Sequence, residues 1–433
     1  MAKKDILIEE ELELSSRTGA AAPLTLPPKV ISIFPALAHR NFQLYVFGQS
    51  ISLVGFWLHQ VAIGWLVFQL THSAFWVGTT AAIGGLPFLF FTTFAGVYID
   101  KLNKQKLLVV TQVAEAAIAF TLGILVLTNI ASLPAILLLV FANGIIGSID
   151  LPARLTFIVE MVGKRDLPSA IPINNSLFNA ARFVGPAIAG GLIAAYGAAW
   201  PFILNGVSFL AGIWAIMLIK PVFRHEPDID THPLQSLKDG LKFSFTTPKI
   251  FYFTLLAFFT AVFIWPFQTL MPPIAQNVFS SGANGLGTLL SSAGAGSLAG
   301  AIFTSANSRR ENKIPFILAG LIISSLGLIL FSLNRNFALA HLFLFVSGFG
   351  TLMMVSTLNS LVQLNSPDQM RARVMAVYLT MFVGMMPLGN QLAGIVASRT
   401  SAIFTVGLGG VLMLFAGTFL FLRGVFANLS KNN

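Results

Sequence analysis

The sequence predicts an all-α integral membrane protein, with twelve transmembrane helices in two six-helix bundles and both termini in the cytoplasm. Three observations predict it. The first is composition. Of 433 residues, 55% are hydrophobic and 10% charged, and mean hydropathy is +0.80; a soluble domain carries about 25% charged residues. The second is segment length. The apolar windows reach the roughly 20 residues that a helix needs to cross the hydrocarbon, and they lack the ten-residue alternation of a β-barrel. The third is the placement of Lys and Arg, described below. The chain has no cysteine, which excludes disulfides, thiolate metal sites and thiol catalysis.

Residues 1–38 read as a polar cytoplasmic tail. Glu9, Glu10, Glu11 and Glu13 crowd it and no apolar h-region follows, so it is not a secretory signal peptide. The apolar windows predict helices over 42–70, 74–99, 107–128, 134–161, 170–196 and 200–219, then over 250–272, 284–306, 314–333, 337–362, 372–398 and 401–423. The domains follow as a bundle over 39–219, a central cytoplasmic loop over 220–249, a second bundle over 250–425 and a short tail over 426–433. In the central loop Leu234, Leu237, Leu241 and Phe245 recur at near-helical spacing beside Lys238 and Lys242. This predicts a short amphipathic helix on the cytoplasmic leaflet.

With the N-terminus inside, 22 of the 26 Lys and Arg fall on the cytoplasmic side. Arg335 and Arg399 fall on the other side, and Arg154 and Arg182 lie within helices. The bias satisfies the positive-inside rule. It also accounts for the net charge of +10 as lipid orientation rather than nucleic-acid binding. The halves echo each other: Pro186 and Pro387 are offset by 201 residues, and Gly96 and Gly300 by 204. A transporter built from two six-helix repeats predicts such echoes.

The stretch from Asp150 to Gly191 carries the chemistry. It reads as two helices joined by a polar turn, Gly163-Lys164-Arg165-Asp166. Counted from Asp166, Asp150 and Arg182 lie equally far back and forward, so an antiparallel hairpin brings them to similar depth. A charge at that depth is expensive and usually has a partner. The leading expectation pairs Asp150 with Arg182, and Arg154 with asparagine side chains one turn away. Glu115, inside the 107–128 helix, is a candidate proton carrier, with a structural carboxylate beside Gln112 as the alternative. His59, next to Gln60 near the middle of the first helix, titrates near physiological pH in water, although a lone histidine is more often a packed hydrogen-bonding residue. Trp57, Trp65, Trp214 and Trp265 either stack on a substrate or pack at interfaces. The second half offers only neutral polar groups at depth, Gln268, Asn359, Asn390 and Gln391.

Several motifs resemble a known family. Gly96-Val-Tyr-Ile-Asp100-Lys101-Leu-Asn103-Lys104 resembles the GxxxDRxGRR signature of the major facilitator superfamily, with Lys101 for the first Arg and Asn103 for the second Gly. In that family the loop acts in the conformational switch, which assigns that role to Gly96, Asp100, Lys101 and Lys104. Gly185-Pro186-Ala-Ile-Ala-Gly190-Gly191 resembles the GPxxGG element of the proton-linked exporters, where proline bends a helix and small residues admit a close neighbour. Leu53–Ala62, Asp150–Arg154, Asn179–Pro186 and Ser366–Val374 resemble the branch of transmembrane secretion effectors and enterobactin exporters. The resemblance covers about residues 38–425. It implies the major facilitator fold and a monomeric, multi-pass protein of a bacterial inner membrane. It further implies proton-coupled export of a small organic molecule, a siderophore or a drug-like compound, by an antiporter. Import on the same fold is the alternative. No cofactor or metal is implied. The six histidines are scattered and no HExxH or GxxxxGK[ST] occurs, so neither a metalloenzyme nor an ATP-driven pump is expected.

Overall fold

The computed structural model describes residues 27–99, 102–220, 233–367 and 369–422. Among them every regular element is a helix. A short helix α1 (Pro28–Ile33) and a 3-10 turn (Pro35–Ala38) precede the first long helix, α2 (Arg40–Thr71). Part of the expected tail is therefore helical, and buried Ala36 anchors it through its N–H to Ser169 Oγ at 3.3 Å. Then come α3 (Ala74–Ile99), α4 (Lys104–Leu127), α5 (Leu133–Tyr196) and α6 (Ala199–Leu218). In the central loop α7 spans Pro233–Thr246. The second half holds α8 (Pro248–Phe259), α9 (Met271–Asn277), α10 (Gly282–Ala306), α11 (Ile314–Leu333) and α12 (Phe337–Leu364). It ends with α13 (Arg371–Phe382), α14 (Met386–Arg399) and α15 (Ala402–Leu422).

Ten helical stretches among the described residues are long and apolar enough to cross a membrane, with a shorter apolar run at Ala74–Phe90. One of the ten is the 64-residue α5, which breaks at Gly163, where φ is 71° and ψ 168°. Glycine adopts that left-handed φ without the Cβ clash other residues suffer. The expected turn over 163–166 thus shrinks to one residue, and the second arm of α5 is helical from Lys164. That arm runs alongside α2 in the same direction: Tyr45 meets Asn174, and Trp57 meets Gly185. Asp166 falls in its first turn, where the helix dipole favours an acid, and His39 Nε2 lies 2.8 Å from its Oδ2.

Two of the spans in the second half are interrupted. Between α8 and α9 lie a π turn (Thr260–Ile264) and a 3-10 turn (Trp265–Phe267). Pro266 removes a donor there and prevents a regular ladder. Between α13 and α14 the chain breaks at Val383–Met385 before Pro387. The halves meet along two glycine seams. The second arm of α5 packs on α10, with Gly190 against Gly287 and the carbonyl of Arg182 against Gly294. On the pseudo-symmetric side α3 packs on α14, with Gly78 against Gly394 and Gly85 against Pro387. Both seams sit in the portions of these helices away from the basic turns. The amphipathic helix expected in the central loop is α7. Gly240 packs on the Arg373 backbone, and Asp239 Oδ2 accepts from Arg373 Nη1 at 3.2 Å, so it leans on the start of α13. Tyr196 and Trp200 pair edge to face, 70% and 42% exposed, as interfacial aromatics do.

Candidate functional site

Two polar layers lie inside the helices. The first is nearer the basic turns and belongs wholly to the first half. Arg154 donates from Nε to Asp150 Oδ2, one turn earlier on α5, and from Nη1 to Gln49 Oε1 on α2. Thr111 Oγ1 on α4 donates to Asp150 Oδ1 at 2.7 Å. All four residues are buried, so three helices are tied by one carboxylate and one guanidinium. Glu115, one turn beyond Thr111, is half-buried and lies within electrostatic reach of both Asp150 and Arg154. Tyr45 Oη donates to Asn174 Oδ1 at 3.2 Å along the edge of the group.

This arrangement corrects the expected pairing. Asp150 pairs with Arg154, and the partners of Arg154 are Asp150 and Gln49 rather than asparagines. The cause is register. The chain turns at Gly163, not at Asp166. Asp150 lies 13 residues before it (163 − 150) and Arg182 lies 19 after it (182 − 163). At about 1.5 Å per residue, Arg182 sits about 9 Å further from the turn. A partner one helical turn away needs no such match.

The second layer holds Arg182 and spans both halves. Its guanidinium carbon lies 5.8 Å from the ring centroid of Trp57 on α2 and 4.8 Å from that of Trp265, in the break between α8 and α9. Arg182 is 4% exposed. Among the described residues it makes no ion pair; the acids that do are Asp150, Glu160, Asp166 and Asp239. Trp265 in turn packs edge to face on Phe382, at the end of α13, with centroids 5.5 Å apart. The layer therefore touches both broken spans. Trp57 is eight residues beyond Gln49 on α2, so the layers are about 12 Å apart. Of the four tryptophans singled out, Trp57 and Trp265 flank Arg182, Trp65 is buried in the core and Trp214 is 58% exposed.

The other candidates divide. His59 is buried with its ring 5.1 Å from Phe202 of α6, which places it inside the first bundle. Gln60 is exposed, on the side of α2 that carries Trp57 and Gly64, whose neighbour is Pro272 of the second half. Of the loop motif, Gly96 falls on α3, while Asp100 and Lys101 lie outside the described residues. Lys104 is buried and pairs with Glu160 at 2.8 Å. In the α5 motif Gly185 backs onto Trp57, the Pro186 carbonyl faces Gly287, and Gly190 meets Ala283 and Gly287. Gly191 meets nothing. In the second half Thr269 Oγ1 donates to Asn390 Oδ1 at 2.9 Å.

Gln49, Thr111 and Tyr45 escaped the sequence reading. Their signal was available: Thr111 is one turn from Glu115, and Gln49 is a polar residue in an apolar helix. Two surface grooves, about 500 Å³ beside His341 and about 280 Å³ beside Phe415, are lined by neither layer. No group of His, Asp and Glu suited to a metal occurs among the described residues.

Residues 31–432 match the family described as transmembrane secretion effectors. The chain belongs to that family. It is a membrane transporter of the major facilitator type, a multi-pass protein of a bacterial plasma membrane. Among curated relatives, the chain is similar to the staphyloferrin A transporter of Staphylococcus aureus (strain NCTC 8325), 24% identical over 85% of this chain and 92% of that one. It is also similar to the enterobactin exporter of Escherichia coli O81 (strain ED1a), 25% identical over 89% of this chain and 92% of that one. Among solved structures, a bacterial homologue of the human lysosomal transporter Spinster matches with a TM-score of 0.70 at 14% identity, covering 93% of this chain and 99% of that one. A POT family transporter matches at 0.69 with 11% identity, covering 89% and 96%. These likenesses establish the shared fold.

Proposed function

We propose that this secretion-effector family member is a twelve-span, monomeric exporter with both termini in the cytoplasm. It moves a small organic molecule, a siderophore or a drug-like compound, outward in exchange for protons by alternating access. One observation carries the reading. Glu115 lies on the α4 span one helical turn beyond Thr111, which bonds Asp150 of the Asp150–Arg154 pair, and a group that alternately binds and releases a proton there changes the charge balance of three helices at once. Intramembrane acids facing a bundle interior serve such relays. The names of the two curated relatives, a staphyloferrin A transporter and an enterobactin exporter, support the substrate class. The twelve spans follow from dividing α5 at Gly163 and counting α3. The glycine seams lie away from the basic turns, which supports a conformer open toward the cytoplasm.

The test is comparative metabolite profiling of cells with and without the gene, in iron-limited and iron-replete medium. The expected result is an iron-regulated metallophore that disappears from the medium and builds up inside the deletion strain. Accumulation of a compound by energised cells expressing the protein would instead establish import, and an unchanged medium would move the reading to general drug efflux.

A further inference from the structure

The second layer holds a buried cation and a buried indole N–H, and among the described residues neither has a hydrogen-bond acceptor. Arg182 stands between Trp57 and Trp265 without an acid among the described residues. The Trp57 indole N–H is buried with no protein partner. So is the side-chain amide nitrogen of Gln268, one turn beyond Trp265. Native proteins pair nearly all such groups, with protein, water or ligand, and an uncompensated cation at membrane depth costs more than any of them. Trp57 and Arg182 each come from near the middle of their spans, α2 (Arg40–Thr71) and the second arm of α5. Midplane sites at the interface of the two repeats are where transporters of this architecture hold substrate. Trp57 and Trp265 are each only partly buried.

We infer that Arg182, with Trp57, forms a subsite for a carboxylate or similar oxyanion of an anionic substrate. This rests on the exporter reading above and names its substrate class. The planar guanidinium suits two parallel hydrogen bonds to a carboxylate. The two indoles hold the guanidinium by cation–π contact, which leaves its N–H groups free to donate. The same layer repels cations, so lipophilic cationic drugs are not its substrates. An anion drawing Arg182 toward itself also loosens the contact with Trp265, and Trp265 sits in the break between α8 and α9 and against Phe382 at the α13–α14 break. Substrate binding thereby reaches both interrupted spans of the second half.

The test is calorimetric binding to the purified full chain in lipid nanodiscs, at neutral pH and without a proton gradient. The probes are citrate, benzoate and the lipophilic cation tetraphenylphosphonium. Wild type is expected to bind citrate or benzoate saturably and to ignore the cation. Arg182→Gln is expected to weaken anion binding at least tenfold. Arg182→Lys falls between, because an ammonium keeps the charge and loses the planar fork. Trp57→Phe, which keeps a ring and removes the N–H, weakens it several-fold. Equal affinity in wild type and Arg182→Gln overturns the subsite, as does failure of wild type to bind either carboxylate at millimolar concentration, or binding of the cation in competition with them. Where Arg182→Gln does not yield monodisperse protein, Trp57→Phe decides, and unchanged affinity there overturns the assignment. Proton-driven export is read separately as flux under an imposed gradient, so either conclusion can fail while the other stands.

Discussion

Asp150 and Arg154 show how a buried pair sets its own tolerance to change. Each is bound to the other and to a second helix, through Thr111 and Gln49. Removing one partner leaves a charge stranded in a medium that does not solvate it, which costs about 3–5 kcal/mol. Asp150→Asn and Arg154→Gln are each expected to lower the melting temperature clearly. The double variant, with no charge left, recovers much of the loss. Thermal unfolding of the three proteins checks this, and additive losses would count against a direct pair. The charge swap Asp150→Arg with Arg182→Asp is expected to rescue nothing, because these residues lie in different layers.

At the scale of the element, single glycines decide how helices turn and meet. With φ 71° and ψ 168°, Gly163 occupies a region essentially restricted to glycine, and another residue there costs about 1–3 kcal/mol. Gly163→Ala should therefore destabilise the protein by that amount in an unfolding assay, without loss of its spans. The seam glycines act differently. A Cβ on Gly190 would stand 2.8 Å from the Gly287 Cα, closer than packed atoms come, and what it meets is backbone that cannot step aside. Gly287→Ala is expected to part α5 from α10 at the end away from the basic turns. The chain has no cysteine, so Gln60→Cys provides a single labelling site. An impermeant maleimide should label it from the basic side alone, and should gain access from the opposite side once Gly287→Ala is added. Unchanged sidedness would show that the seam is not the seal.

At the scale of the molecule, the two halves meet along two pseudo-symmetric seams among the described residues. In such a body a proton changes the exposure of a substrate only if protonation and seam opening are coupled. Glu115→Gln fixes one charge state. It is expected to abolish flux driven by a proton gradient in proteoliposomes while sparing exchange of labelled for unlabelled substrate, which needs no net proton movement. Full proton-driven flux in Glu115→Gln would remove Glu115 from the coupling step.

Much of the fold was legible because the bilayer imposes it. Span length, apolar composition and Lys/Arg asymmetry follow from solvation of each segment by itself, so the helices, the central amphipathic α7 and the α5 motif could be read along the chain. Glu115, Asp150, Arg154 and Arg182 stood out for the same reason: charge at depth is rare. Their partners did not follow. Which acid meets which base depends on where a helix turns to the nearest residue, and a shift of the turn from Asp166 to Gly163 moved Arg182 out of reach of Asp150. The cation between two tryptophans from different halves depends on a π turn, a 3-10 turn and two glycine seams acting together. None of these is a property of one segment, and only packing of the bundles decides them.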